Sequence, residues 1–191
     1  HNFLISQPDL NFHNPHVQDA VLAAMRFWLE RGVDGFRFDT VNYYFHDKKL
    51  RSNPPAPREK ETPLEADPYG MQFHKFSKNR PENIDFLKRV RALLDEFPGT
   101  TTVGEVGEAH RAIEIMAAYT AGDDLLHMCY SFDMLGPTFT PRHFRSRVEK
   151  FFAGAPDGWP CWSFSNHDVN RHISRWEAHA VTPDSLGRQS A

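Results

Sequence analysis

Apolar residues in this chain recur with two alternating periods. At helical spacing, Val17, Val21, Leu22, Met25, Trp28 and Leu29 predict a first helix that Asn14 caps, Pro15 opens and Gly32 ends. Ile84, Leu87, Val90, Leu93 and Leu94 predict a second over about 81–96, closed by Pro98-Gly99. A third falls at about 111–119, and a fourth begins at Thr140-Pro141 and turns Phe144, Val148, Phe151 and Phe152 inward. Between the helices stand short apolar runs bounded by turn residues, at 35–38, 101–105, 126–131 and from Cys161 onward, and these read as strands. The resulting order, αβαβαβαβ, argues for a parallel sheet covered by helices.

One stretch breaks the alternation. From 43 to 80 the chain is rich in proline and charge, including Asn53-Pro54-Pro55-Ala56-Pro57, and keeps no sustained period. A loop this long in a compact domain is functional or disordered. We read residues 1–191 as one unit carrying 43–80 as an insertion.

Two folds fit four strands. A doubly wound sheet needs a glycine-rich turn after a strand, and Gly104-Glu105-Val106-Gly107 lacks the third glycine. A partial parallel barrel is the better expectation, and four strands cannot close an eight-stranded barrel, so the rest of its own barrel is an expected partner. The chain opens at His1 in what reads as a loop and ends in a polar run over 181–191, as expected of a piece of a longer protein.

Composition narrows the function classes. With 191 residues and 40% hydrophobic content the chain can bury one core. A net charge of −3, from 22 basic and 25 acidic residues spread along the chain, offers no basic stripe for nucleic acid or an anionic membrane. No apolar run approaches the roughly 20 residues of a membrane span, and a cytoplasmic location is expected. Cys129 and Cys161 sit in apolar runs as ordinary buried thiols. His13 and His16 flank a proline with no third ligand nearby, so neither a metal site nor a cofactor is expected within these residues.

The chemistry gathers at strand ends. Gly35-Phe36-Arg37-Phe38-Asp39 ends in a carboxylate, Thr101-Thr102-Val103-Gly104-Glu105 in another, and Trp162-Ser163-Phe164-Ser165-Asn166-His167-Asp168 in an Asn-His-Asp cluster. The intervals between the three acids are each roughly 65 residues; the second fits two βαβ repeats of ~30 residues, and the first holds one clear helix and so carries a long inserted loop. Carboxylates at the C-terminal ends of parallel strands aim into one mouth, which suits acid/base or glycosyl chemistry. Arg37 shares a strand face with Asp39 and can hold it ionised and oriented.

These runs resemble the α-amylase superfamily, glycoside hydrolase family 13. Gly35 to Asp39 resembles its nucleophile strand, Val103-Gly104-Glu105 its general-acid strand, and Phe164 to Asp168 the strand carrying its third carboxylate. Gln7-Pro8-Asp9-Leu10-Asn11 resembles the pentapeptide that marks the oligo-1,6-glucosidase and α-glucosidase branch. The resemblance implies an α/β fold, a partial TIM (β/α)8 barrel covering about the fourth to seventh strands, with the family's third-strand Asn-His element outside this sequence.

It also implies a retaining double displacement on small α-glucosides. Asp39 would be the nucleophile and Glu105 the general acid, with carboxyls roughly 5 Å apart and the acid holding its proton near neutrality. Asp168 and His167 would bind hydroxyls of the distorted sugar, and Arg37 would support the nucleophile. Thr40, after the nucleophile, resembles enzymes acting on α-1,4 bonds. Phe132 is a candidate wall of the aglycone site or a core-packing ring, one of Tyr43, Tyr44 and Phe45 a candidate sugar-stacking ring, and Arg171 either a support for Asp168 or a solvent-facing cation. The stretch from Lys48 to Arg80 resembles the extended mouth loop of α-glucosidases that act on maltose and transfer glucose to alcohols. A calcium or monovalent cation, where the family holds one, would lie elsewhere in the complete protein. Two rivals stand beside this reading: a transglucosidase or sucrose isomerase using the same residues, and a non-catalytic barrel scaffold, whose signature would be loss of the carboxylates.

Overall fold

The computed structural model describes residues 2–57, 69–108 and 111–178. Three strands, β1 (Gly35–Phe38), β2 (Thr101–Val106) and β3 (Met128–Ser131), alternate with α1 (Pro15–Leu29), α2 (Glu82–Leu94), α3 (Ala112–Thr120) and α4 (Pro141–Gly154). A short α5 (His172–Arg175) follows, and single 3-10 turns at Val41–Tyr43 and Phe132–Met134 leave β1 and β3. The helix starts follow the capping residues: the Asn14 side chain accepts from the His16 N–H at 3.0 Å, and the Thr140 hydroxyl from the His143 N–H at 3.2 Å.

The strands are parallel, in the order β1-β2-β3. Arg37 stands opposite Val103, and Glu105 opposite Tyr130. Gly35 makes the first of these registers attainable. Its φ of +153° is a conformation side chains rarely adopt, and a Cβ there would lie 2.0 Å from the Thr101 carbonyl oxygen.

Alternation along the strands divides the sheet into two unlike faces. Toward the helices, Phe38, Val106 and Cys129 pack with Leu29 of α1, Phe86, Leu87 and Leu94 of α2, Met116 of α3 and Phe151 of α4 in one buried core. Burying each large apolar side chain contributes about 1.5–3 kcal/mol. The other face carries Arg37, Val103, Glu105, Met128 and Tyr130 in the strands, with Asp39 just past the end of β1. This is the face a parallel barrel turns inward.

The structure departs from the expected pattern in several places. The fourth expected strand is absent among the described residues: Pro160 makes a single parallel bridge to Cys129, and the Cys161 N–H reaches the Cys129 carbonyl at 3.0 Å. Beyond it the backbone turns to local partners, the Ser163 hydroxyl donating to the Ser165 carbonyl and the Asp168 N–H to the Asn166 side chain, both at 3.0 Å. Short side-chain-to-backbone bonds of this kind compete with a ladder that has only one edge to pair with. Cys161 is accordingly only partly buried.

Trp28 and Phe152, expected to face inward, are 51% and 49% exposed. Met25 and Leu29 define the buried stripe of α1, with Val21 and Leu22 packed beside them, and Trp28 lies round the helix from it. Phe152 follows the buried Phe151 by one residue, about 100° round the helix.

The insertion is more ordered than its composition suggests. Where described, its two legs pair: Pro55 bridges Gln72, Phe73 N–H donates to the Pro54 carbonyl at 2.8 Å, and Asp47 N–H to the Phe76 carbonyl at 2.8 Å. Arg51 donates to the Asp47 carboxylate through Nε at 3.0 Å and stacks its guanidinium over the Phe76 ring at 4.2 Å. Hydrogen bonds from Arg51 hold the Asp47 carboxyl well below the usual carboxylate range. Residues 58–68 of the insertion lie outside the described residues.

Candidate active site

Parallel register brings the ends of β1 and β2 together and, with them, three charged side chains. Arg37 donates through Nη1 to Asp39 Oδ1 and through Nη2 to Glu105 Oε2. One planar guanidinium therefore spans both carboxylates. Tyr130, opposite Glu105 on β3, completes the group: its hydroxyl donates to Glu105 Oε2 at 2.5 Å and accepts from Arg37 Nη2 at 3.0 Å.

The two carboxylates sit in different surroundings. The Asp39 side chain is 70% exposed, whereas that of Glu105 is 3% exposed. Asp39 is open to an approaching molecule, and Glu105 is held within the wall. Partial burial works against the charge on Arg37, but its hydrogen bonds to Tyr130 and Asp39 and the negative charge of Glu105 outweigh it and raise the guanidinium above its ordinary pKa. Burial and the bond to Glu105 push the Tyr130 hydroxyl up to about 12, so it stays a donor throughout the neutral range.

Thr40 makes the turn out of β1. It adopts φ 37° and ψ 53°, a left-handed conformation uncommon for a β-branched residue, and its carbonyl accepts the Tyr43 N–H at 2.9 Å. Such a conformation costs on the order of 1–3 kcal/mol, and residues held this way concentrate at functional sites.

The remaining candidates are placed differently. Asp168 and His167 are not joined to the Arg37 group by a hydrogen bond or ion pair among the described residues. Their contact is with each other, His167 Nε2 to Asp168 Oδ1 at 3.5 Å, with side chains 70% and 62% exposed. Arg171 reaches the Asn166 carbonyl at 3.3 Å rather than the Asp168 carboxylate, and it is the residue preceding α5. Phe132 stands 41% exposed at the turn out of β3. The expectation of a sugar-stacking ring among residues 43–45 gives way to packing. Tyr43 and Phe45 are buried, and Tyr44 stacks on Phe12 with ring centroids 5.0 Å apart.

Sequence reasoning missed Tyr130. Period-two alternation in β3 sets Tyr130 on one face with Met128, but only the register with β2 shows that this is the face of Glu105. No helix among the described residues is long and apolar enough to cross a membrane.

Residues 1–186 match the family model described as the alpha amylase catalytic domain. A probable alpha-glucosidase of Rhizobium meliloti (strain 1021) is 57% identical over 197 residues, which cover 97% of this chain and 36% of the relative. Maltase A2 of Drosophila melanogaster is 30% identical over 95% of this chain and 34% of its own length. Among solved structures, the alpha-glucosyl transfer enzyme XgtA is 47% identical and superposes with a TM-score of 0.86, over 96% of this chain and 34% of that one. The chain thus spans about a third of the length of these relatives.

Proposed function

The chain belongs to the alpha amylase catalytic-domain family, and on that footing we propose that it supplies the catalytic pair of a retaining α-glucosidase. The substrates proposed are short α-1,4-linked glucosides such as maltose, with transfer of glucose to alcohols as a second outcome. The observation that carries the proposal is the guanidinium of Arg37 joining Asp39 to Glu105 at the ends of adjacent parallel strands.

In this reading the exposed Asp39 attacks the anomeric carbon and forms a glucosyl ester, while Glu105 gives its proton to the departing oxygen. Arg37 and Tyr130 both engage Oε2 of Glu105, which leaves Oε1 to carry that proton. Water, or an alcohol in the transfer reaction, then gives its proton back to Glu105 as its oxygen displaces Asp39. Two inversions restore the starting configuration. Arg37 orients Asp39 as the nucleophile, and no cofactor enters either step. Asp168 and His167 are assigned to the sugar hydroxyls, Phe132 to the aglycone side, and Thr40 to the preference for α-1,4 bonds.

Curated relatives named as an alpha-glucosidase and a maltase support the hydrolytic reading, and the solved alpha-glucosyl transfer enzyme supports transfer. A non-catalytic scaffold is disfavoured because Asp39, Glu105 and Arg37 are all present.

The test is hydrolysis of p-nitrophenyl α-glucoside and maltose by the complete protein, with the anomer of released glucose followed by NMR and alcohol added as a competing acceptor. Retention, together with loss of activity in Asp39→Asn, is the expected result. A folded protein inactive on α-glucosides and sucrose would return the fold to a binding role.

A further inference from the structure

Just past the two carboxylates along the chain stands a second group of polar side chains that the proposed reaction does not use. Asn42 and Tyr43 belong to the turn leaving β1 after Asp39, Gly107 and Glu108 follow Glu105, and Lys78 and Asn79 end the insertion. All three segments meet at Gly107. Its N–H donates to the Asn42 side chain at 3.0 Å, and its carbonyl accepts from Lys78 Nζ at 2.9 Å and from Asn42 and Tyr43 at 3.3 Å each. Asn42 also donates to the Asn79 side chain at 2.8 Å, and Asn79 to Glu108 Oε2 at 2.6 Å. Lys78 faces Glu108 across 3.4 Å, with both side chains 10% exposed.

The chemistry of this cluster argues against a merely stabilising role. A buried ammonium facing a carboxylate loses most of its Coulombic gain to desolvation, and apolar replacements of such pairs are often as stable. What a fully bonded buried network does provide is a single geometry. A larger residue at 107 would crowd this network, because a Cβ there would lie 3.0 Å from the Tyr43 ring.

Resting on the proposed reaction, we propose that Lys78, with Asn42, Asn79 and Glu108, is a brace that sets the position of Glu105 relative to Asp39 and ties it to the insertion. Lys78 is then a positioning residue for proton donation, and the loop influences the rate of leaving-group departure as well as the shape of the mouth.

The experiment compares Lys78→Met, the near-isosteric Glu108→Gln and the conservative Lys78→Arg in the complete protein. Turnover is measured on maltose, whose leaving group needs a proton, and on p-nitrophenyl α-glucoside, whose leaving group needs little help. For Lys78→Met the expected result is a kcat loss on maltose about tenfold or more greater than that on the nitrophenyl substrate, smaller for Glu108→Gln and partly restored in Lys78→Arg. Equal losses on both substrates, or none, overturn the brace. Hydrogen exchange over 101–108 is read in parallel: faster exchange there, with 15–29 unchanged, supports the brace, and unchanged protection overturns it. Should the unmodified protein hydrolyse neither substrate, the glucosidase reading fails, and the exchange measurement alone decides the brace.

Discussion

The rim formed by β1, β2 and β3 and the segment from Pro160 to Arg171 carry residues of the same family motifs, yet they are built differently. In the first, strands flank Glu105 on both sides, Arg37 and Tyr130 bond it, and it lies almost wholly out of solvent. In the second, Asp168 and His167 stand on a stretch with one backbone bridge to the sheet, and both are exposed. Strands paired over several residues hold Arg37, Glu105 and Tyr130 in one register, whereas a segment with a single bridge offers no such frame. Asp39 and Glu105, proposed here as nucleophile and acid, share the Arg37 guanidinium, and among the described residues Asp168 has no comparable partner.

The sharpest way to break this comparison is Asp39→Asn, expected to lower kcat on p-nitrophenyl α-glucoside by roughly 10⁴–10⁶-fold, as when a residue of a catalytic unit is removed. A loss below tenfold would undo the nucleophile assignment. Glu105→Gln is expected to cost roughly 10²–10⁴-fold on maltose, the scale of general acid catalysis, with a smaller loss on the nitrophenyl substrate. Arg37→Lys keeps the charge but loses the fork that spans both carboxylates. About tenfold to a hundredfold in kcat/KM is expected, from hydrogen bonds to charged groups worth about 1.5–3 kcal/mol.

Stability sharpens the same contrast. Asn83, fully buried, donates to the Val41 carbonyl at 2.8 Å and the Tyr119 hydroxyl at 2.9 Å. Asn83→Ala in the complete protein is expected to cost about 1–3 kcal/mol in denaturant unfolding, whereas Asp168→Ala should stay within about 0.5 kcal/mol.

The last effect is alkaline. Tyrosine ordinarily ionises near 10, but burial pushes Tyr119 and Tyr130 up to about 12. In Cys129, ordinarily near 9, burial raises the thiol to about 12 as well. The folded state therefore keeps protons that the unfolded chain releases, and stability present below pH 9 is lost as pH rises through 12. Tm against pH, with tyrosinate absorbance, checks it: a Tm that does not fall over that interval contradicts these shifts.

How far the sequence reveals this can be judged from single residues. Arg37 and Asp39 share a strand face by position alone, and Asn14, Pro15, Thr140 and Pro141 mark helix starts that the structure shows. The places of Tyr130 and Lys78 were not legible, because one is set by strand register and the other by the insertion returning to Gly107. Periodicity also overstated the apolar faces: adjacent aromatics such as Phe151 and Phe152 look equally inward in a one-dimensional pattern, while α4 buries only Phe151 of the two. The missing fourth strand has a similar origin, since alternation describes a segment and pairing depends on what lies beside it.

Gly35 carries an implication for anyone reshaping this protein. A library randomised across 35–40 and selected for activity should return several letters at Thr40, few at Arg37, and a single letter at 35. The carbonyl of Thr101 occupies the space any side chain would need. At that position the backbone of the neighbouring strand sets the choice, whereas at Asp39 the proposed chemistry does.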